Sequence, residues 1–365
     1  ADTQSAFERF AAGNPHVSID RRLWLTNALV VTVDTDRITL ARLGMINHVE
    51  RIHENYRISV NSATPASQPT STPALSTAMQ SWHRTSITQP PVSVIKSTTV
   101  TTDSGTAATT TSTERQFTNA LKLIDVPTAW EEFENRGDGV RVAVLDTGVN
   151  PNHPDIDIRK KNWKCYTDCR TEGPHDVEGH GTHVSGTVVG GNSNDANLQI
   201  GVAPNATLMH AKVMNDTGNG RYGDFVAGME WAVSNNADVI SASLGDPGYN
   251  DAFIDPVRNA QSNGVMVVAA VGNGGNRTSS SPGNVYDATA VGSVDVEPGF
   301  PANWEFDLTD DRVSRFSGSE KIDSADWKET YNDTPDDWPA SYIVPDLTAP
   351  GNVIWSADAN IDTAT

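Results

Sequence analysis

Short apolar runs constrain this chain more than anything else in it. They fall at residues 140–145, 206–214, 239–244, 265–271 and 289–294. Each is mostly apolar, interrupted only by isolated polar residues such as Arg141, Lys212 and Ser241, and too short for a buried helix of ordinary length. That pattern fits strands buried on both faces. Between two of the runs, Phe225, Val226, Met229, Ala232 and Val233 form the stripe of a helix with 3.6-residue period. Residues 255–263 read as another helix, stopped by Gly264. A short helix is expected at 127–133, closed by Gly137 and Gly139. Strand–helix alternation of this kind predicts an α/β fold, a mostly parallel sheet flanked by helices.

The 365 residues divide by composition. Residues 1–60 predict a small α+β unit, with strand formers at 23–33, a short helix at 39–45 and alternation resuming at 49–52. Sixty residues make a marginal core, so the unit is expected to lean on something else. Residues 61–116 are rich in Ser, Thr and Pro and carry almost no large apolar side chains. Such a segment cannot offset its ordering entropy and reads as an unstructured, protease-exposed linker. Residues 117–365 hold the α/β pattern, interrupted at 298–345 by an Asp-, Trp- and Pro-rich stretch that reads as an acidic surface insertion.

The formal charge is -20, with 32 Asp and 14 Glu against 18 Arg and 8 Lys. An acidic, lysine-poor surface argues against nucleic acid as a partner, because phosphate contacts need clustered cations. It fits a protein kept soluble in a salty medium that screens self-repulsion, or simply an acidic secreted one. No apolar run reaches the ~18 residues of a membrane span. The only cysteines, Cys165 and Cys169, are too few for a zinc site by themselves. A small disulfide loop and two free thiols both stay open.

Three segments carry candidate chemistry. Asp146 ends an apolar run in Leu145-Asp146-Thr147-Gly148, where parallel sheets gather functional groups. Alone it could equally cap a turn. His180 stands in Gly179-His180-Gly181-Thr182-His183 at the expected start of a helix. The flanking glycines, without Cβ atoms, let another segment approach the imidazole. A structural histidine, or a metal pair with His183, would also fit that stretch. Asn273 sits in Gly272-Asn273-Gly274 after another run, and its amide could donate to charge developing on a carbonyl oxygen or merely make a turn.

Taken together, and in this order, these contexts resemble the subtilisin-like serine proteases over roughly residues 120–360. The resemblance implies that Asp146 and His180 are the aspartate and histidine of an Asp-His-Ser triad and that Asn273 is the oxyanion donor. It implies that Ser243, Leu244 and Gly245 bind the substrate backbone and line the primary pocket. Gly201-Val202-Ala203-Pro204 and Thr348-Ala349-Pro350-Gly351 match family punctuation. The expected activity is hydrolysis of peptide bonds in proteins by a secreted enzyme made as a zymogen. No cofactor is required for that chemistry. Residues 1–60 would be part of an inhibitory propeptide acting in cis, with the maturation cleavage between 61 and 117. Asp155, in His153-Pro154-Asp155, matches a position that supplies a structural calcium ligand, with partner carbonyls expected from 192–199; a turn cap is the alternative.

One family element has no counterpart. The nucleophile belongs in Gly-Thr-Ser-Met-Ala beyond Ala-Pro-Gly, and no Gly-Thr-Ser occurs in the 365 residues. Ser185 and Ser356 lack that context. The expectation is a fold incomplete at its C-terminal side, poorly stable and inactive alone. A natural pseudoprotease that binds peptides is the alternative. A nucleotide-binding α/β protein would need a glycine-rich phosphate loop, which Asp-Thr-Gly-Val-Asn-Pro does not supply.

Overall fold

A computed structural model describes residues 4–60, 97–101, 107–111, 116–191, 198–295, 313–327, 338–352 and 354–360. In the N-terminal unit, α1 (Ser5–Ala12) precedes a hairpin of β1 (Val17–Leu23) and β2 (Ala28–Val33), then α2 (Leu40–Gly44) and β3 (Arg57–Ser59). The run of strand formers at 23–33 is therefore a turn followed by one strand, with Asn27 at φ 49 closing the hairpin. No strand forms at 49–52; Val49 instead packs on the small core of Phe7, Val17, Ile38 and Leu43. Alternation alone makes no strand without an edge to pair with, and only 57–59 meets one. Within the segment expected to be an unstructured linker, β4 (Ser97–Thr101) and β5 (Ala107–Thr111) pair antiparallel. Threonine-rich sequence is good strand sequence once a hairpin can close; most of the segment lies outside the described residues.

From residue 116 the chain runs β6 (Gln116–Phe117), α3 (Asn119–Leu123), α4 (Val126–Phe133), β7 (Arg141–Asp146), β8 (Trp163–Cys165), α5 (His180–Val189), β9 (Leu198–Gln199) and β10 (Thr207–Lys212). Next come β11 (Asn219–Arg221), α6 (Tyr222–Ser234), β12 (Val239–Ala242), β13 (Asp246–Pro247), α7 (Ile254–Ser262), β14 (Met266–Ala270), β15 (Ser280–Ser281) and β16 (Thr289–Asp295). The described chain ends with β17 (Glu320–Asp323), β18 (Ser341–Val344) and β19 (Leu347–Asn352). α4 stops at Glu134, itself at φ 48, three residues before the glycine expected to close it.

Seven strands form one sheet in the order β19-β16-β14-β12-β7-β10-β8, and every pairing in it is parallel. The five apolar runs are its central strands. β7 and β10 bury every residue but their first, as strands covered on both faces must. One core lies between the sheet and α6 and α7, around Leu145, Met209, Phe225, Met229, Phe253 and Val257. A second, with Val144, Val149, Val189 and Leu208, lies under α5. The insertion is only partly superficial. β17 and β18 pair antiparallel, and Trp327 and Trp338 bury their rings in the main core, so these two tryptophans serve as packing. Residues 296–312 and 328–337 lie outside the described set.

The N-terminal unit leans on α6, as its small size requires. That helix starts without a side-chain cap of its own, which leaves backbone donors to be satisfied. The backbone carbonyl of Tyr56 accepts from Tyr222 N at 2.9 Å and Asn55 Oδ1 accepts from Gly223 N at 2.9 Å. Arg21 donates to Asp224 Oδ1 at 2.8 Å and to the Gly223 carbonyl at 3.0 Å. Leu23 and Leu25 enter the main core, each contributing roughly 1.5–3 kcal/mol. Buried Glu230 accepts from Leu25 N at 2.8 Å. Glu230→Ala removes that acceptor and leaves the buried Leu25 N–H unpaired, a cost of about 1–3 kcal/mol. The expected result is earlier proteolytic release of residues 1–60, with Glu230→Gln, which keeps an acceptor oxygen, recovering most of the protection. Equal protection in all three proteins would refute this account of the docking.

Candidate active site

Asp146 is the last residue of β7 and is fully buried. β7 has β10 on one side and β12 on the other: the chain goes on to β8 and β10 on one side and then crosses to β12 and the later strands on the other. Ligand crevices in parallel sheets open at such switch points, beyond the carboxyl ends of the strands. His180 is the first residue of α5, and its Nδ1 lies 2.8 Å from Asp146 Oδ1. The same oxygen accepts from Thr147 N at 2.7 Å, whereas Oδ2 is buried with no partner among the described residues. Burial by itself would lower the pKa of His180. The charge and hydrogen bond of Asp146, helped by Glu178 and Asp176, more than offset it and lift the imidazole to about 9. About a third of the His180 side chain remains exposed, so its other nitrogen can face the crevice.

The glycines around His180 do what their size predicts. A Cβ on Gly181 would lie 2.2 Å from the Gly148 carbonyl oxygen, so the helix start is seated directly on the turn after Asp146. Gly179 takes φ 100, a conformation that side-chain-bearing residues resist. His183 faces the other way, its Nε2 3.1 Å from the Ile354 carbonyl oxygen. The two histidines therefore share no ligand, and no group of three His, Cys, Asp or Glu side chains suited to a metal occurs among the described residues. Asp155, proposed from the sequence for calcium, is at most one carboxylate of such a site, and residues 192–197, expected opposite it, lie outside the described set. No chemical step is assigned to a metal.

Ser243, Leu244 and Gly245 follow β12, and Asn273 follows β14, so both lie at the same end of the sheet as Asp146. Leu244 is buried, while Asn273 is exposed on a turn beside Gly272 at φ 106. Both Ser185 and Ser356 have hydrogen-bond partners other than His180. Ser185 is fully buried and bonds His210 Nδ1 at 3.1 Å, and Ser356 donates to the His183 carbonyl at 2.6 Å.

Several groups here went unnoticed in the sequence. Asp176 accepts four hydrogen bonds from the turn after β7 and the start of α5. Glu178 accepts from His180 N at 2.7 Å. Lys212 is wholly buried, donates to the Thr147 carbonyl and pairs with Asp216 at 3.0 Å. Asp216 also meets Arg170, and its N–H donates to Asp168 inside the loop that Cys165 and Cys169 close as a disulfide. Finally, β3 fills a groove. It pairs antiparallel with β11, Ser59 exchanges two 3.2 Å backbone bonds with Gly245, and Val60 N donates to the Gly218 carbonyl at 3.1 Å. Only the carboxylate four residues before a histidine was available as a sequence signal for Asp176; β3 gave none.

The sequence profile of the Subtilase family matches residues 137–365. Subtilisin E of Bacillus subtilis (strain 168) is 41% identical over 162 residues, which cover 43% of this chain and 42% of that protein. The major intracellular serine protease of the same strain is 39% identical over 191 residues, 50% of this chain and 59% of that protein. An alkaline protease of Alkalihalobacillus alcalophilus is 42% identical over 159 residues, 44% of this chain and 40% of that protein. The chain thus spans between about two fifths and three fifths of the length of these curated relatives.

Proposed function

The chain belongs to the subtilase family, and we propose that it carries the base-bearing part of a serine endopeptidase that hydrolyses peptide bonds of proteins. The observation that carries this reading is the 2.8 Å His180–Asp146 pair at the switch point of a parallel sheet. In the proposed reaction a serine hydroxyl attacks the peptide carbonyl while His180 takes its proton and then returns it to the leaving amine. Asp146 holds Nδ1 protonated and stabilises the imidazolium. Asn273 donates to the oxyanion, and Ser243, Leu244 and Gly245 hold the substrate backbone. The chemistry needs no cofactor.

We read residues 1–60 as an inhibitory propeptide acting in cis. Support comes from residues 57–60, laid as a third strand between β11 and Gly245, the way a peptide adds to exposed sheet edges. The disulfide supports an oxidising, extracellular setting, and the acidic composition supports adaptation to salt.

No Gly-Thr-Ser occurs among the 365 residues, and we read the nucleophilic serine as lying outside them. Purified 1–365 is therefore expected to hydrolyse no peptide substrate, whereas a longer product of the same reading frame containing Gly-Thr-Ser-x-Ala should do so. Turnover by 1–365 that His180→Ala abolishes would show that another serine serves and would overturn this account. A stop codon after residue 365, with peptide binding but no turnover, would favour the second reading, a pseudoprotease that only binds.

A further inference from the structure

Asp176 joins two segments that must keep a fixed distance. Its Oδ1 accepts from Thr147 Oγ1 at 3.1 Å and from Gly179 N at 2.9 Å. Its Oδ2 accepts from Thr182 N at 2.9 Å and Thr182 Oγ1 at 2.6 Å. Thr147 and Thr182 are both fully buried. Each hydroxyl is used twice. Thr147 Oγ1 also accepts from Gly181 N at 2.8 Å, and Thr182 Oγ1 accepts from Asn150 N at 3.0 Å. One carboxylate thus ties the residue after Asp146 to the residues on either side of His180. It also meets the backbone donors that the start of α5 leaves free.

We propose that Asp176, acting through Thr147 and Thr182, is a positioning residue that fixes the His180–Asp146 distance. This rests on the reading of His180 as the base and Asp146 as its partner. An ordinary helix cap would bond the helix alone, whereas this carboxylate bonds the helix start and the strand end together. Charge-assisted bonds of this kind are about twice as strong as neutral ones. Burial pushes the Asp176 carboxyl up, and the bonds from Thr182 and Gly179 outweigh it and hold it below its ordinary range. It therefore stays an ionised acceptor through the neutral range.

The test uses the 365-residue chain and needs no turnover. Nitrogen-15 NMR of the imidazoles would follow the low-field Nδ1–H signal of His180 and its titration. The charged groups acting on that ring are Asp146 on β7 and Glu178 and Asp176 in the approach to α5. Thr147→Val keeps all three charges but removes the hydroxyl bridging Asp176 and Gly181. It is expected to broaden or abolish the Nδ1–H signal and to lower the titration midpoint by about 1 pH unit. Asp176→Asn should do the same, and Thr147→Ser should restore both. Thr147→Val that lowers the melting temperature yet leaves signal and midpoint at their wild-type values would reduce Asp176 to a structural cap and overturn the proposal. The underlying reading fails differently: the wild-type chain would then show no Nδ1–H signal that responds to Asp146→Asn.

Discussion

Asp146→Asn is expected to lower kcat by about 10^4-fold in a serine-bearing form of this protein, with KM nearly unchanged. That is the size of the loss when the triad aspartate becomes asparagine in a serine protease. The amide can present N–H rather than a carboxylate to His180 Nδ1, which favours the wrong tautomer and withdraws the charge that stabilises the imidazolium. The 365-residue chain gives a second readout. His180, lifted to about 9 chiefly by Asp146, should titrate well below that in the variant, because only the charges of Glu178 and Asp176 then oppose burial. The sign for stability follows. A histidine whose folded pKa exceeds the unfolded 6.5 contributes stability that is fully present below 6.5 and lost as pH rises through about 9. Asp146→Asn should flatten that dependence. A base must also be neutral, so kcat/KM of the serine-bearing form should rise with pH through the His180 titration. Unchanged titration of His180 in Asp146→Asn would refute the pairing.

Gly148→Ala is expected to be the most damaging single methyl in the domain. Gly148 has φ 132, and a Cβ there would lie 2.0 Å from the carbonyl oxygen of His175. Both the conformation and the collision are penalised, and the obstacle is backbone that cannot swing aside. A loss of roughly 3 kcal/mol or more follows, together with disruption of the Asp146 turn on which Gly181 is seated. Gly139→Ala is the control. It also has positive φ, at 81, but nothing lies within 4 Å of its missing Cβ, so it should cost about 1 kcal/mol. Urea denaturation of both variants would measure the difference. Equal losses would mean that the turn can open without harm.

The strands were readable because burial on both faces leaves a compositional trace. Leu145, Met209 and Ile240 are all fully buried, and no local rule competes with a predominantly apolar run in placing them inside. The helix stripe of α6 was readable for the same reason. Boundaries were less so. The strand expected at 49–52 is absent because pairing depends on a partner edge: Arg57–Ser59 has β11, and Val49 has only the small core of its own unit. The insertion misled because Asp and Pro dominate its composition, while the burial of Trp327 and Trp338 depends on what faces them.

At the site, local sequence named the side chains, and only the tertiary structure assembled them. Asp146, His180 and Asn273 each stand in a short context whose residue types suit one chemical task, and that much is local information. Which oxygen meets which nitrogen is not. The 2.8 Å pairing depends on Gly181 resting against Gly148 and on Asp176 spanning the gap, contacts between segments about thirty residues apart. The placement of Ser59 against Gly245, from an N-terminal unit docked on α6, is likewise set by long-range pairing. By itself the sequence determined the layers of the fold and which side chains are proposed to react, because hydrophobic period and residue chemistry are written locally. The distances, the raised pKa of His180 and the strand lying in the groove were decided by the tertiary structure, because hydrogen bonds and close backbone contacts exist only where the folded chain brings remote segments together.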